Sequence, residues 1–401
     1  MSATTAEHIE RAARWGAGHY ASMPVVLARG EGPYVWDVKG RRYYDFLSAY
    51  SALAQGHCHP RIVEALVAQA ARLTLHSRAF HNDRLGAMLE RVAGLTGFEK
   101  VLPMNSGAEA VETAIKAMRR WGAEVKGVLD GQQEIIVAAN NFHGRTTTIV
   151  SFSSDDESRR GFGPAAPGFV TVPFGDLDAI ERAIGPNTVG VLLEPIQGEG
   201  GARIPPDGWM RGVRALCTRH RVLLTWDEVQ TGLGRTGRMF AWQHEDARPD
   251  VIVLGKALSG GMLPASCICA DDAVMKVFTP GSHGSTFGGN PLAAAVVLAA
   301  LDVIEDERLA ERAAELGAHA LGRLRRELSS PALAEVRGRG LMIAVEYREP
   351  IAPRVMRALC EGGVLVKDTR GTTVRLLPPL VISRAELDAG LDVAIPILDR
   401  A

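Results

Sequence analysis

The chain has 401 residues, of which 46% are hydrophobic and 23% charged, and its 45 Lys and Arg against 46 Asp and Glu leave a net charge of −1. So balanced a charge offers no field to draw it onto nucleic acid or an anionic membrane, and so much apolar material excludes a disordered or fibrous chain. At roughly 100–200 residues per domain, two or three globular domains are expected.

Near the start, Glu7 and Glu10 stand where a secretory signal would be apolar, and the five cysteines (Cys58, Cys217, Cys267, Cys269, Cys360) form no CxxC. Both features point to a reducing compartment, the cytoplasm. PYVWDVKGRRYYDF (33–46) reads as a hairpin turning at Lys39–Gly40, too small to fold alone and expected to pack with the C-terminal segment. His57-Cys58-His59 before Pro60 has no further ligands at metal-site spacing and reads as a turn. A helix is expected over Ala108–Trp121, because Val111, Ala114, Ile115 and Met118 share one face. Glu134–Ala138, Val189–Leu193, Arg221–Thr225 and Asp250–Leu254 are near-continuous apolar runs, as parallel strands buried on both faces require. A second helix starts at Pro291 and runs through Ile304; its apolar stretch Leu292–Leu301 is about half a bilayer span. Beyond Asp306 come a long charged amphipathic helix (307–328) and two strand-like runs, RGRGLMIAVEY (337–347) and VRLLPPLVI (374–382). Strands alternating with helices predict an α/β fold. Residues 51–305 are expected to form a large domain, and 1–50 together with 306–401 a smaller one.

Open α/β sheets bind ligands at the C-terminal ends of their strands. Two predicted strands end in chemically useful residues there: Arg221–Thr225 runs into Asp227, and Asp250–Leu254 into Lys256 amid small residues. A lysine held neutral by desolvation can condense with a carbonyl, and an aspartate can keep a pyridine nitrogen protonated, the pairing that pyridoxal phosphate needs. Alone, the lysine would more commonly be a solvated charge, and the aspartate as readily a helix cap or surface salt bridge. Asn105-Ser106-Gly107-Ala108-Glu109 opens a helix with free N–H groups able to face a phosphate, and Glu109 and Glu112 should then point away from it. Gly281–Asn290 adds hydroxyls and amides for the same anion. Gly232-Leu233-Gly234-Arg235-Thr236-Gly237 matches GxGxxG, but six residues (Trp226–Thr231) separate it from the preceding strand and no amphipathic helix follows, so a dinucleotide site is not expected.

The ordered set SGAEA (106–110), NFHGR (141–145), EPIQGEGG (194–201), DEVQTGLGRTG (227–237), GKALSGG (255–261) and GSTFGGNP (284–291) resembles the class III, fold-type I aminotransferases from about Tyr20 to Ile397. Segments 46–60, 73–80, 100–107 and 374–382 are most similar to the ornithine-using members of that class. The resemblance implies a large domain built on a mostly parallel seven-stranded sheet and a smaller α+β domain made from both chain ends. It implies pyridoxal phosphate as cofactor, no metal, and a homodimer or an assembly of dimers.

Lys256 then resembles the Schiff-base lysine, Asp227 the pyridinium partner, Gln230 the donor near the ring hydroxyl and Phe142 the stacking ring. Ser106, Gly107 and Ala108 resemble the phosphate-holding segment, joined by Thr286 from the neighbouring subunit. Arg145 and Tyr20 correspond to residues at the α-carboxylate end of ornithine, and Arg375 to the cation for 2-oxoglutarate, with Glu199 neutralising it when ornithine is bound. Tyr50 stands where ornithine-using members carry tyrosine, whereas acetylornithine and 4-aminobutyrate enzymes usually carry an aliphatic residue. His143 departs from the tryptophan of some ornithine-using members. The expected activity is transfer of the terminal amine of ornithine to 2-oxoglutarate, giving glutamate 5-semialdehyde and glutamate. The competing expectations are an acetylornithine or other ω-amino acid aminotransferase, and a cofactor-binding sensor module. The sensor is disfavoured because the chain carries no basic helix-turn-helix extension.

Overall fold

The computed structural model describes residues 4–400. Its centre is a seven-stranded sheet of β1 (Lys100–Met104), β2 (Glu134–Ala138), β3 (Phe169–Val172), β4 (Thr188–Leu193), β5 (Leu223–Asp227), β6 (Val251–Leu254) and β7 (Ser266–Ala270), in the order β1-β7-β6-β5-β4-β2-β3. All pairs are parallel except those made by β7, which runs antiparallel to both neighbours. The four apolar runs read as strands are β2, β4, β5 and β6, of which β4, β5 and β6 are buried at every residue and β2 at all but its first; β7, which the sequence reading did not single out, is buried throughout as well. Helix α1 (Gly107–Trp121) covers one face with the stripe Val111, Ala114, Ile115 and Met118, and the helix Trp209–His220 covers the other with Met210, Val213 and Leu216.

β5 starts two residues later than its apolar run suggested. Arg221 takes a left-handed φ of 52° as the C-cap of the preceding helix, so pairing begins at Leu223 and Asp227 becomes the strand's last residue. The run 374–382 also differs from expectation. Its strand is only Thr373–Leu376, because Pro378 and Pro379 have no N–H to give a ladder.

The two chain ends meet. The hairpin of strands Tyr34–Asp37 and Arg42–Asp45, with Gly40 at φ 81°, accepts strand Val364–Leu365 in parallel against Tyr44 and Asp45. A four-stranded antiparallel sheet of Leu333–Arg339, Met342–Tyr347, Thr373–Leu376 and Lys367–Thr369 completes the C-terminal part. None of the described helices is long and apolar enough to cross a membrane.

The packing of helix α2 (Pro291–Asp306) and helix α3 (Leu309–Glu327) leads to the GxGxxG segment. Gly340 has φ 56°, and a Cβ there would sit 2.4 Å from the Thr236 carbonyl carbon; a Cβ on Gly317 of α3 would sit 2.1 Å from the Gly340 oxygen. Three backbones thus touch, residues 235–237 meeting Gly340 while Gly234 and Gly237 pack against Ala310 and Ala314 of α3, and the segment serves this packing instead of a nucleotide turn. Gly317→Ala is expected to cost about 1–3 kcal/mol, because no flexible side chain is available to yield. A thermal melt with an unchanged midpoint would contradict this.

Candidate active site

Lys256 follows β6 by one extended residue, Gly255, and itself holds a left-handed φ of 46°. β5 delivers Asp227 beside it. Between them lies a cavity of about 190 Å³ lined by both residues and by Gly107, Ala108, Phe142, His143, Glu194, Glu199, Val229 and Gln230. A larger groove of about 490 Å³ lies elsewhere, along Lys116, Arg119 and Arg120, and brings together no comparable set of opposed reactive groups.

Asp227 accepts from His143 Nδ1 at 2.7 Å and from the Val229 N–H at 3.1 Å. Burial opposes charge on His143, but this bond together with the charges of Asp227 and Glu194 outweighs it and raises the imidazole pKa. Burial lowers the pKa of the Lys256 amine despite the carboxylates of Glu199 and Asp227, which favours the neutral, nucleophilic form. Burial also pushes Glu194 up to about 7; its carboxylate accepts the N–H of Phe142 at 3.0 Å and of Gly198 at 3.1 Å. Glu194 therefore joins the Phe142 loop to the loop that carries Glu199.

At the start of α1, Ser106 Oγ accepts from Glu109 N–H at 3.2 Å, and Glu109 accepts the N–H of Ser106 at 3.0 Å and of Asn105 at 2.8 Å. Glu109 is turned back as a cap, and Glu112 accepts from the Thr146 hydroxyl. Gly107 and Ala108 line the cavity at this helix N-terminus, where backbone N–H groups favour an anion.

At the other end, Arg375 is fully buried and forms a bidentate pair with Glu199, Nη1 to Oε1 at 2.5 Å and Nη2 to Oε2 at 3.0 Å. Arg375 also lies 5.9 Å from the centre of the Tyr50 ring. Tyr50 belongs to a turn whose residues Ser48, Ala49, Tyr50 and Ser51 have φ of 49, 46, 60 and 81°. Left-handed geometry costs a non-glycine residue roughly 1–2 kcal/mol, so tertiary contacts must hold this turn.

Asp227, Lys256, Gly107, Ala108, Phe142, Gln230 and Glu199 are brought together around one cavity. Arg145 lies just outside, in an adjoining cavity of about 280 Å³ that shares Phe142, His143 and Glu199, with its guanidinium 5.6 Å from the Phe142 ring centre. Ser106 is exposed and its hydroxyl is occupied in the cap. Tyr20 is 70% exposed and Thr286 is exposed; neither lines the cavity of its own chain. His57 and His59 turn to different partners, Asp45 and Glu307. Sequence reasoning gave no role to Glu194, although it directly follows strand β4 as Lys256 closely follows β6; the same strand-end rule would have found it.

The cavity suits a small heteroaromatic ring carrying an aldehyde and a phosphate. Asp227 can hold a ring N–H, and the helix N-terminus can take the anion. The buried Gln230 Oε1 and His143 Nε2 have no protein partner and are free to meet a ligand. The lysine is available for the aldehyde.

Residues 16–398 match the profile of the family described as Aminotransferase class-III. The chain is 53% identical over 392 residues to the ornithine aminotransferase of Halalkalibacterium halodurans, covering 98% of each. Its backbone superposes with a TM-score of 0.97 on the ornithine aminotransferase of Toxoplasma gondii, a structure described as having partial occupancy of PLP at its active site. Identity there is 45%, covering 98% of this chain and 94% of that one. An acetylornithine aminotransferase from Elizabethkingia anophelis superposes with a TM-score of 0.90 at 45% identity, covering 100% of both.

Proposed function

The chain belongs to the class-III aminotransferases, and on that premise we propose that it is a pyridoxal-phosphate enzyme transferring the terminal amine of L-ornithine to 2-oxoglutarate, giving glutamate 5-semialdehyde and glutamate. The observation that carries the transfer from an amine-bearing donor to a diacid acceptor is the Arg375–Glu199 pair beside Lys256. A dicarboxylate acceptor needs a cation at that end of the pocket, whereas an amine-bearing donor needs that cation cancelled. A carboxylate able to move aside provides both states within one site.

When bound, pyridoxal phosphate supplies an aldehyde that condenses with amines and a cationic ring that draws electrons from the adjacent C–H bond. Asp227 holds the proton on the ring nitrogen, and the His143 bond fixes which carboxylate oxygen faces the ring. Lys256 Nζ, poor in charge because it is buried, would take the proton from the substrate carbon and hand it to the adjoining aldehyde-derived carbon on the same face of the ring. Phe142 covers the ring, and Gly107 and Ala108 hold the phosphate. Arg145 grips the α-carboxylate of ornithine, so that only the terminal amine reaches Lys256. Tyr50 closes the space around the α-amine.

The acetylornithine reading draws support from the Elizabethkingia relative. An acetyl group on the α-amine would have to fit where Tyr50 stands, and that argues for the free amine. A half-reaction titration of the holoenzyme with ornithine, N-acetylornithine, 4-aminobutyrate and lysine, followed by absorbance, tests the choice. Ornithine is expected to give the highest kcat/KM; a higher value for N-acetylornithine would overturn the assignment.

A homodimer is part of the same proposal. Exposed Thr286 lies beside an apolar groove of about 460 Å³ lined by Leu75, Leu263, Pro264 and exposed Phe287, a surface suited to a second copy. Each copy would then offer Thr286 to the other's phosphate. We place the enzyme in the cytoplasm, in keeping with its five unpaired cysteines.

A further inference from the structure

Arg235 is fully buried, yet its hydrogen bonds go only to neutral oxygens: Nε to Ser51 Oγ at 2.7 Å, and Nη1 to the carbonyls of Leu341 at 3.1 Å and Pro378 at 2.6 Å. Nη2 has no partner at all. A buried guanidinium in such surroundings is an expensive way to fill space, since an apolar side chain of similar volume would serve packing as well or better. What this cation reaches is the left-handed turn 48–51. Ser51 Oγ, held by Arg235, donates to the Gln230 carbonyl at 3.2 Å, and Gln230 Nε2 donates back to the Tyr50 carbonyl at 3.3 Å. The bonds close a ring through Ser51, Gln230 and Tyr50, which Arg235 holds at Ser51. At the other end of the turn, Asp45 accepts the N–H of Leu47 at 3.0 Å and of Ser48 at 2.9 Å, and the Ser48 hydroxyl donates to the Leu377 carbonyl.

We propose that Arg235, acting through Ser51, is a positioning residue for the amino donor: it pins a turn that would otherwise relax to negative φ, and so keeps Tyr50 beside Arg375 at the specificity end of the pocket. The proposal rests on ornithine being the donor. Tyr50 is the residue displaced when the pin is lost. Lys256, Asp227 and the helix N-terminus lie outside the circuit, and Gln230 enters it only through its carbonyl and Nε2 while its Oε1 stays free for the cavity, so cofactor binding and the proton transfer at Lys256 should survive.

Ser51→Ala in the holoenzyme removes the pin without adding bulk. Its KM for ornithine is expected to rise about tenfold, the scale of one buried donor left unpaired, while kcat and the visible absorption band stay unchanged. Ala49 is exposed and has φ 46°, so Ala49→Gly removes a steric penalty on the left-handed state. Adding it to Ser51→Ala should bring the KM back toward the wild-type value, a rescue that general loosening of the structure would not give. An unchanged KM in Ser51→Ala, a loss confined to kcat, or a double variant no better than the single one overturns the proposal. Failure of the ornithine reading would appear separately, as a wild-type enzyme that does not turn over ornithine.

Discussion

Lys256→Ala is expected to lower kcat for ornithine by at least about 10⁴-fold and to abolish the visible band of the lysine-bound cofactor, with the far-UV circular dichroism unchanged. Positioned proton transfer alone contributes about 10²–10⁴, and covalent attachment of the aldehyde adds to it. Lys256 is the one lysine that lines the cavity, so no neighbouring amine can take over. The fold should not suffer, because burying this amine is a burden on stability. Burial holds the folded-state pKa below the ordinary 10.5, so the unfolded chain binds the proton more readily, and the stability of the cofactor-free protein rises with pH across that interval. Alanine removes this slope. Denaturant midpoints of the cofactor-free proteins at several pH values therefore give a second check: wild type gains stability as pH rises toward 10.5, and the variant gains less. A variant that keeps the band and its turnover would place the reactive amine elsewhere.

The residues that follow strands were the legible part of this site. Asp227 and Lys256 announce themselves because an apolar run stops and a polar residue stands where α/β sheets bind ligands. Glu194 obeys the same rule, but its purpose becomes visible only when its two backbone partners, Phe142 and Gly198, are seen to come from different loops. The turn at 48–51 was not legible. None of its residues is glycine, and nothing local favours four successive positive φ values. Only contacts far along the chain, with Arg235, Gln230 and Leu377, fix it. GxGxxG at 232–237 shows the opposite failure, a recognisable pattern without its usual meaning. There the glycines let the segment press against Gly340 and Ala314, and the arginine between them matters more than the spacing. His143, which departs from the tryptophan of some ornithine-using enzymes, is in the structure the hydrogen-bond partner of Asp227, a role that its place in the sequence did not suggest.

Glu199→Ala should reverse the preference between donors. Arg375 is 0% exposed at its side chain, whereas Glu199 keeps 27%, so the carboxylate is the member of the pair with room to move. Burial opposes ionisation of Glu199, but the adjacent guanidinium more than compensates, and its pKa is lowered. The carboxylate therefore stays charged and cancels Arg375 whenever no diacid is present. Without it, Arg375 keeps one bond from Nη1 to the Gly198 carbonyl at 3.2 Å, while Nε, already unpaired, still has no partner. Stripping one partner from a buried pair costs about 3–5 kcal/mol, and a substrate carboxylate can recover much of that by taking the empty place. Glutamate, whose α-carboxylate meets Arg375 when its α-amine faces Lys256 while its second carboxylate reaches toward Arg145, should gain. Ornithine should lose, because its α-carboxylate now has a competing cation that draws the wrong amine toward Lys256. Since about 1.4 kcal/mol is a factor of ten, the ratio of kcat/KM for glutamate over ornithine is expected to rise by about 10²-fold or more. Glu199→Gln, which keeps the shape without the charge, should shift the ratio in the same direction by less. If neither variant moves it, the Arg375–Glu199 pair is a fixed structural contact, and the alternation between an amine donor and a diacid acceptor must be arranged by other residues.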